Sequence, residues 1–223
     1  MPWIKALVFI VPIAFAVWIH NLATIEQILF AALLGEQGMF ETIQSFLLTC
    51  CFFLAATLAY LAANRNRVGL AAFFACFALG TGVIGMEEIN WGQRLLDLET
   101  PQSLKQINKQ QEMNLHNVAG LHDKQGPVAI MLCAAAVLSA LCRLSPRIRN
   151  KPMTPFLTVP PAAILWFLIP GAYVSFRLHA GNDTFGDHAT LILTAIQEPA
   201  ELLLYGGFLL VALSWLPALV RKP

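Results

Sequence analysis

The sequence predicts an all-α fold: a polytopic membrane helix bundle of about six transmembrane helices, with an interfacial helical segment on its outer side. Three observations predict it. Hydrophobic residues fill 57% of the 223 positions and charged residues 12%, whereas soluble domains usually carry about 25% charged residues. Six apolar runs reach or approach the roughly 20 residues a helix needs to cross a bilayer core. The polar side chains gather largely in one stretch, residues 87–126. The chain, 1–223, is therefore expected to be one integral membrane domain. Its net charge of +1 gives no basis for binding nucleic acid.

The first predicted span is 4–18. Its apolar run is long for a signal peptide and no small-x-small cleavage site follows, so it reads as a retained helix. Residues 21–39 hold an apolar patch between Glu26 and Glu36 that is too short to cross, and are expected to be interfacial or re-entrant. The second span, 42–63, stops at the tetrad Asn64-Arg65-Asn66-Arg67. The third, 69–86, is rich in Gly and Ala, which let helices approach closely in lipid. Residues 87–98 are expected to continue in helical period until Pro101 breaks them. Thr100 or Ser103 is placed to cap a second, mostly polar helix over 103–117. Gly120 and Gly126-Pro127 lead into the fourth span, 128–142; the fifth is 160–176, with a kink expected at Pro170-Gly171, and the sixth is 190–220. All five cysteines fall in apolar runs, where thiols pack as small apolar groups, so no disulfide framework is implied.

Charge sets the expected orientation, because basic residues favour the cytoplasmic side of short loops. Six spans put Lys5, Arg65, Arg67, Arg143, Arg147, Arg149, Lys151, Arg221 and Lys222 together on one side. Both termini are then cytoplasmic. The same arrangement leaves all thirteen acidic residues and all five histidines in the outer half, facing the periplasm or exterior.

Acids at or inside helix ends are candidates for function, since an ionised group there costs a few kcal/mol unless paired or wet. Glu198-x-x-Glu201 puts two carboxylates on one face of the sixth span, with Tyr205 a turn beyond and Pro199 between them. They can share a metal or a proton, or simply be a solvated helix end. Glu112-x-x-x-His116 is a second pair at helical spacing, and carboxylate plus imidazole suits Zn, Fe or Mn. His122-Asp123 offers a histidine with an orienting carboxylate, or a hydrated loop. Glu87 and Glu88 follow the third span, and only one is expected to face the bundle; Arg94 is placed to pair with Glu87, and Trp91 suits the interfacial aromatic belt. Glu36 and Glu41 flank the second span, where a helix N-terminus favours a negative charge. No nucleophile elbow, phosphate loop, dinucleotide fingerprint or His-x-x-x-His pair is present.

The run EEINWGQR at 87–94, the Glu112-x-Asn114-Leu115-His116-Asn117 motif, Gly35-Glu36-x-Gly38-x-x-Glu41 and Glu198-x-x-Glu201 together resemble segments of a group of small bacterial multi-pass membrane proteins. In that group the first motif is more usually EEISWGQR, so Asn90 stands where Ser is common. The resemblance covers most of the chain and implies a shared site, without a reaction.

Taken together, these residues lead us to expect a metal-dependent enzyme of the bacterial inner membrane acting on a lipid or other membrane-resident substrate. Glu112, His116, Glu198 and Glu201 are the expected ligands of a divalent metal (Zn, Fe or Mn). Glu87, Glu88 and Arg94 are the expected catalytic groups. Glu36, Glu41, Trp91, Asn114, His122, Asp123 and Tyr205 are secondary members. A proton- or cation-coupled binding or transport protein is the alternative. A third reading is an accessory subunit of a membrane complex, and a homo-oligomer is also compatible.

Overall fold

The computed structural model describes residues 2–34, 39–93, 96–108, 111–115, 117–118, 122–180 and 196–220. Among the described residues, five helices are long and apolar enough to cross a membrane: Trp3–Ile25, Met39–Ala63, Val68–Glu88, Lys124–Cys142 and Gln197–Val220. There is a sixth crossing if Thr154–Ala163 and Leu165–Leu178, bent by 77° at their junction, count as one broken span. The chain is thus an all-α, multi-pass membrane protein. The sharp bend falls at Ile164, and not at Pro170-Gly171 as expected; those two lie inside one continuous helix.

In chain order the helices are α1 (Pro2–Ile25), α2 (Gln27–Leu34), α3 (Met39–Ala63), α4 (Val68–Glu88), α5 (Gln102–Lys105), α6 (His122–Cys142), α7 (Pro146–Arg149), α8 (Thr154–Leu157), α9 (Leu165–Ala180) and α10 (Gln197–Val220). α1 runs about two turns beyond its expected end. Its polar residues do not break it, because the Asn21 amide and Thr24 hydroxyl bond back to the Val17 and His20 carbonyls. α2 is short, as expected.

The residues divide into two compact units, 41–128 and 1–40 with 129–223. In the first, α3 and α4 form an antiparallel hairpin. α3 buries Leu48, Cys51, Ala55, Leu58 and Ala62, a seam of alternating three- and four-residue steps. α4 answers with Leu70, Phe74, Ala78, Thr81 and Gly85. The absent side chains of Gly82 and Gly85 make room for Phe52 and Leu48, which a Cβ would meet at 2.9 and 3.2 Å. The turn between the helices is tight: Asn66 takes φ 55° and the Arg67 amide returns to the Ala62 carbonyl at 3.0 Å.

In the second unit, Ile19, Leu22, Ala23, Phe30 and Phe40 form a core cluster against which Phe15, Leu33, Ile196 and Leu202 pack. Two further contacts lock α1, α9 and α10. Pro12 has no N–H to give the carbonyl four residues earlier. That carbonyl, Val8's, instead receives the Trp166 indole N–H of α9 at 2.7 Å. Lipid offers no water to satisfy such a group, so protein must. Trp166 in turn lies over Gly206 of α10, and Phe167 over Gly207.

Candidate functional site

The polar stretch after α4 is not the pair of helices its periodicity suggests. α4 stops at Glu88, and Asn90, Trp91 and Gly92 follow with φ of 51°, 55° and 76°. Three consecutive left-handed residues turn the chain back. Only Gly takes that conformation at no steric cost; at Trp91 it costs of order 1–3 kcal/mol. The second expected helix, 103–117, shrinks to the single turn α5, and the chain then closes by the isolated bridge between Asn108 and Val118. Carboxamide side chains take over the hydrogen bonding that a helix would have supplied.

Glu87 is the anchor. It is buried at the last turn of α4, while Glu88 is half-buried. One Glu87 carboxylate oxygen accepts the Trp91 indole N–H at 2.5 Å and the other accepts the Leu115 backbone N–H at 2.6 Å. Charge-assisted bonds of this kind are about twice as strong as neutral ones, which offsets the strain at Trp91.

Asn114 is the hub of the network. Its amide N–H groups donate to Asn90 Oδ1 at 2.6 Å and Glu112 Oε2 at 3.0 Å. Its Oδ1 accepts from the Asn108 side chain at 2.9 Å and the Asn117 amide at 3.3 Å, and its main-chain carbonyl also accepts from Asn108, at 2.7 Å. Gln93 ties in the loop between, accepting from the Met113 amide and donating to the Thr100 hydroxyl.

Several expectations change here. Glu112 is not on a helix, so the helical spacing behind its expected pairing with His116 does not apply to it. His116 itself, like Arg94 and Glu36, lies outside the described residues, as do the side chains of His122 and Asp123. Trp91 is more than a belt residue, because its indole holds Glu87. Thr100 does not cap a helix; its hydroxyl accepts from Gln93. Glu41 is half-buried in the first turn of α3, where the helix dipole favours it. The parts that Asn90 and Asn108 play in this network do not follow from the helical reading of the segment. Their signal in the sequence is the density of carboxamides between Asn90 and Asn117, in a stretch with little apolar content.

An acidic pair lies at the start of α10. Glu198 and Glu201 are both half-buried, with carboxylate oxygens within 4.8 Å of one another. The Gln197 amide donates to Glu201 Oε1 at 2.8 Å, and the Arg177 guanidinium of α9 donates to the Gln197 carbonyl oxygen. A relay therefore runs from guanidinium through carboxamide to carboxylate. The described helix begins at Gln197, so the pair sits in its first two turns and not two to three turns inside it. This also changes the reading of Pro199. Its missing N–H belongs to the first turn, where no helical partner exists, so it opens no ladder. Tyr205 is buried one turn further, with its ring 6.2 Å from that of Phe208.

No known family, curated protein or solved structure matches the chain. The function must therefore be argued from these two sites. Chemically they differ. The carboxamide network is a fixed scaffold whose polar groups largely bond one another. The Glu198–Glu201 pair concentrates negative charge on one helix face. That is a donor set suited to a hard or borderline cation such as Mn or Fe(II), or to a shared proton.

Proposed function

We propose that this protein is a metal-dependent enzyme of the bacterial inner membrane, acting on a lipid or other membrane-resident substrate. Glu198 and Glu201 hold the divalent ion. The observation that carries the reading is the approach of two half-buried carboxylates to within 4.8 Å at the end of an apolar, membrane-length helix. Like charges that close are unfavourable unless a cation or proton lies between them. Such an ion supplies polarisation of a substrate oxygen or activation of water. Arg177 and Gln197 orient Glu201, and Glu87 is a positioning residue that fixes the fold of the polar segment. The distribution of basic residues supports cytoplasmic termini and a site facing the periplasm.

A second reading has its own observation. The Arg177–Gln197–Glu201 relay links a guanidinium to the pair, and a positive charge there favours release of a bound proton or cation, the step a carrier repeats. Metal analysis of the detergent-purified full chain separates the two. The enzyme reading expects about one tightly held divalent ion per chain, lost in both Glu198→Gln and Glu201→Gln with the melting temperature little changed. Wild-type protein that takes up neither Mn nor Fe nor Zn on titration overturns it. Proton-coupled cation flux in reconstituted vesicles, abolished by the same two variants, establishes the carrier.

A further inference from the structure

Apart from the Glu198–Glu201 pair, the unit formed by 1–40 and 129–223 contains a cleft of about 500 Å³. Among the described residues three cations line it: Lys5 near the start of α1, Arg143 just past the end of α6, and Arg149 at the end of α7. No Asp or Glu is among its described lining residues. The sequence explains why. No acidic residue occurs in 1–25, 124–182 or 202–223, so every segment that supplies a described lining residue has no acidic side chain. The remaining wall is apolar and includes Ile4, Val8 and Leu210.

Like charges gathered around one cavity repel, and burial makes this worse. Arg143 is half-buried, and loss of hydration lowers its affinity for its proton. One of its N–H groups reaches the Thr158 carbonyl at 3.4 Å, which fixes the guanidinium at the wall. A guanidinium carries five donors in a planar fork that matches phosphate oxygens. The volume is within the range of small-ligand sites. All three cations lie at or near helix ends, Lys5 close to the start of α1, Arg143 just past α6 and Arg149 at the end of α7, whereas Val8 and Leu210 lie within the membrane-length helices α1 and α10. Basic pockets between transmembrane helices bind anionic headgroups for these reasons.

We propose that this cleft is a binding site for an anionic phospholipid, with Lys5, Arg143 and Arg149 on its phosphate and Ile4, Val8 and Leu210 against the first part of an acyl chain. The assignment is independent of any metal at Glu198–Glu201. It requires a lipid rather than free phosphate, because half of the wall offers nothing to a soluble anion.

The test uses the full chain in nanodiscs of phosphatidylcholine doped with phosphatidylglycerol, with bound lipid counted by native mass spectrometry. Each surface cation contributes roughly fivefold to anionic-lipid binding. Lys5→Gln with Arg149→Gln, both exposed positions, should therefore weaken phosphatidylglycerol retention about 20-fold and leave the melting temperature in phosphatidylcholine unchanged. Arg143→Gln should weaken it as well. If that variant fails to fold, the exposed pair decides the matter alone. Equal retention of phosphatidylcholine and phosphatidylglycerol by the wild type, or undiminished retention by the double variant, overturns the proposal. So does inorganic phosphate at millimolar concentration stabilising the chain as well as phosphatidylglycerol does.

Discussion

Glu87→Ala is expected to destabilise the protein by about 3–5 kcal/mol and to release the segment that follows α4. A hydrogen bond to a charged group contributes about 1.5–3 kcal/mol, and Glu87 accepts one from the Trp91 indole and one from the Leu115 amide. Removing the carboxylate leaves both donors without this acceptor and leaves the left-handed turn at Asn90 and Trp91 unsupported. Relaxation of that turn returns part of the cost, which keeps the figure below the sum of the two upper values. Hydrogen exchange reads the outcome most directly. Protection at Leu115 should fall by about 100-fold or more, while amides in the middle of α3, far along the hairpin from this turn, change much less. Glu87→Gln should fall between, since it keeps one acceptor oxygen and turns an N–H toward the other donor. Unchanged exchange at Leu115 in Glu87→Ala would show that the carboxylate does not hold the segment.

The second large effect is expected at Gly206. A Cβ there would lie 2.9 Å from Trp166 Cε3 and closer still to Cζ3, so the ring must move. The ring is not free to move, because its N–H is the donor that satisfies the Val8 carbonyl exposed by Pro12. Overpacking costs about 1–3 kcal/mol where side chains can yield. Here Gly206→Ala should lie at the upper end, and Gly206→Val beyond it, measured as loss of thermal stability in detergent. Trp166→Leu removes both the clash and the indole bond. Combined with Gly206→Ala it should therefore cost less than the two changes separately, by about 1–2 kcal/mol of coupling. Strict additivity would mean that Trp166 and Gly206 do not share the contact.

How much of this was legible beforehand differs between the spans and the polar segment. Leu48, Cys51, Ala55, Leu58 and Ala62 repeat with helical period in a stretch without charge, and α3 follows almost residue for residue. The glycines of α4 announced close packing, and Gly82 and Gly85 supply it. Residues 87–117 misled, because Ile89, Leu95, Leu96 and Leu98 keep a helical spacing while Asn90 and Gly92 favour the left-handed turn. A local pattern cannot show that a partner 28 residues away, the Leu115 amide, will make that turn the better choice. The Glu198–Glu201 pair was plain from its spacing, yet its link to Arg177 was not.

By itself, then, the sequence determined the membrane class, the spans and the acids worth testing. Those follow from hydropathy, chain geometry and the cost of charge in lipid, all of which act locally along the chain. Only the tertiary structure decided that Glu87 would be a clamp, that Trp166 would answer Pro12, and that Lys5 would join Arg143 and Arg149 around one cleft. The physical reason is the same in each case. A buried or lipid-exposed polar group must find its partner wherever the fold brings one, and sequence distance does not measure that.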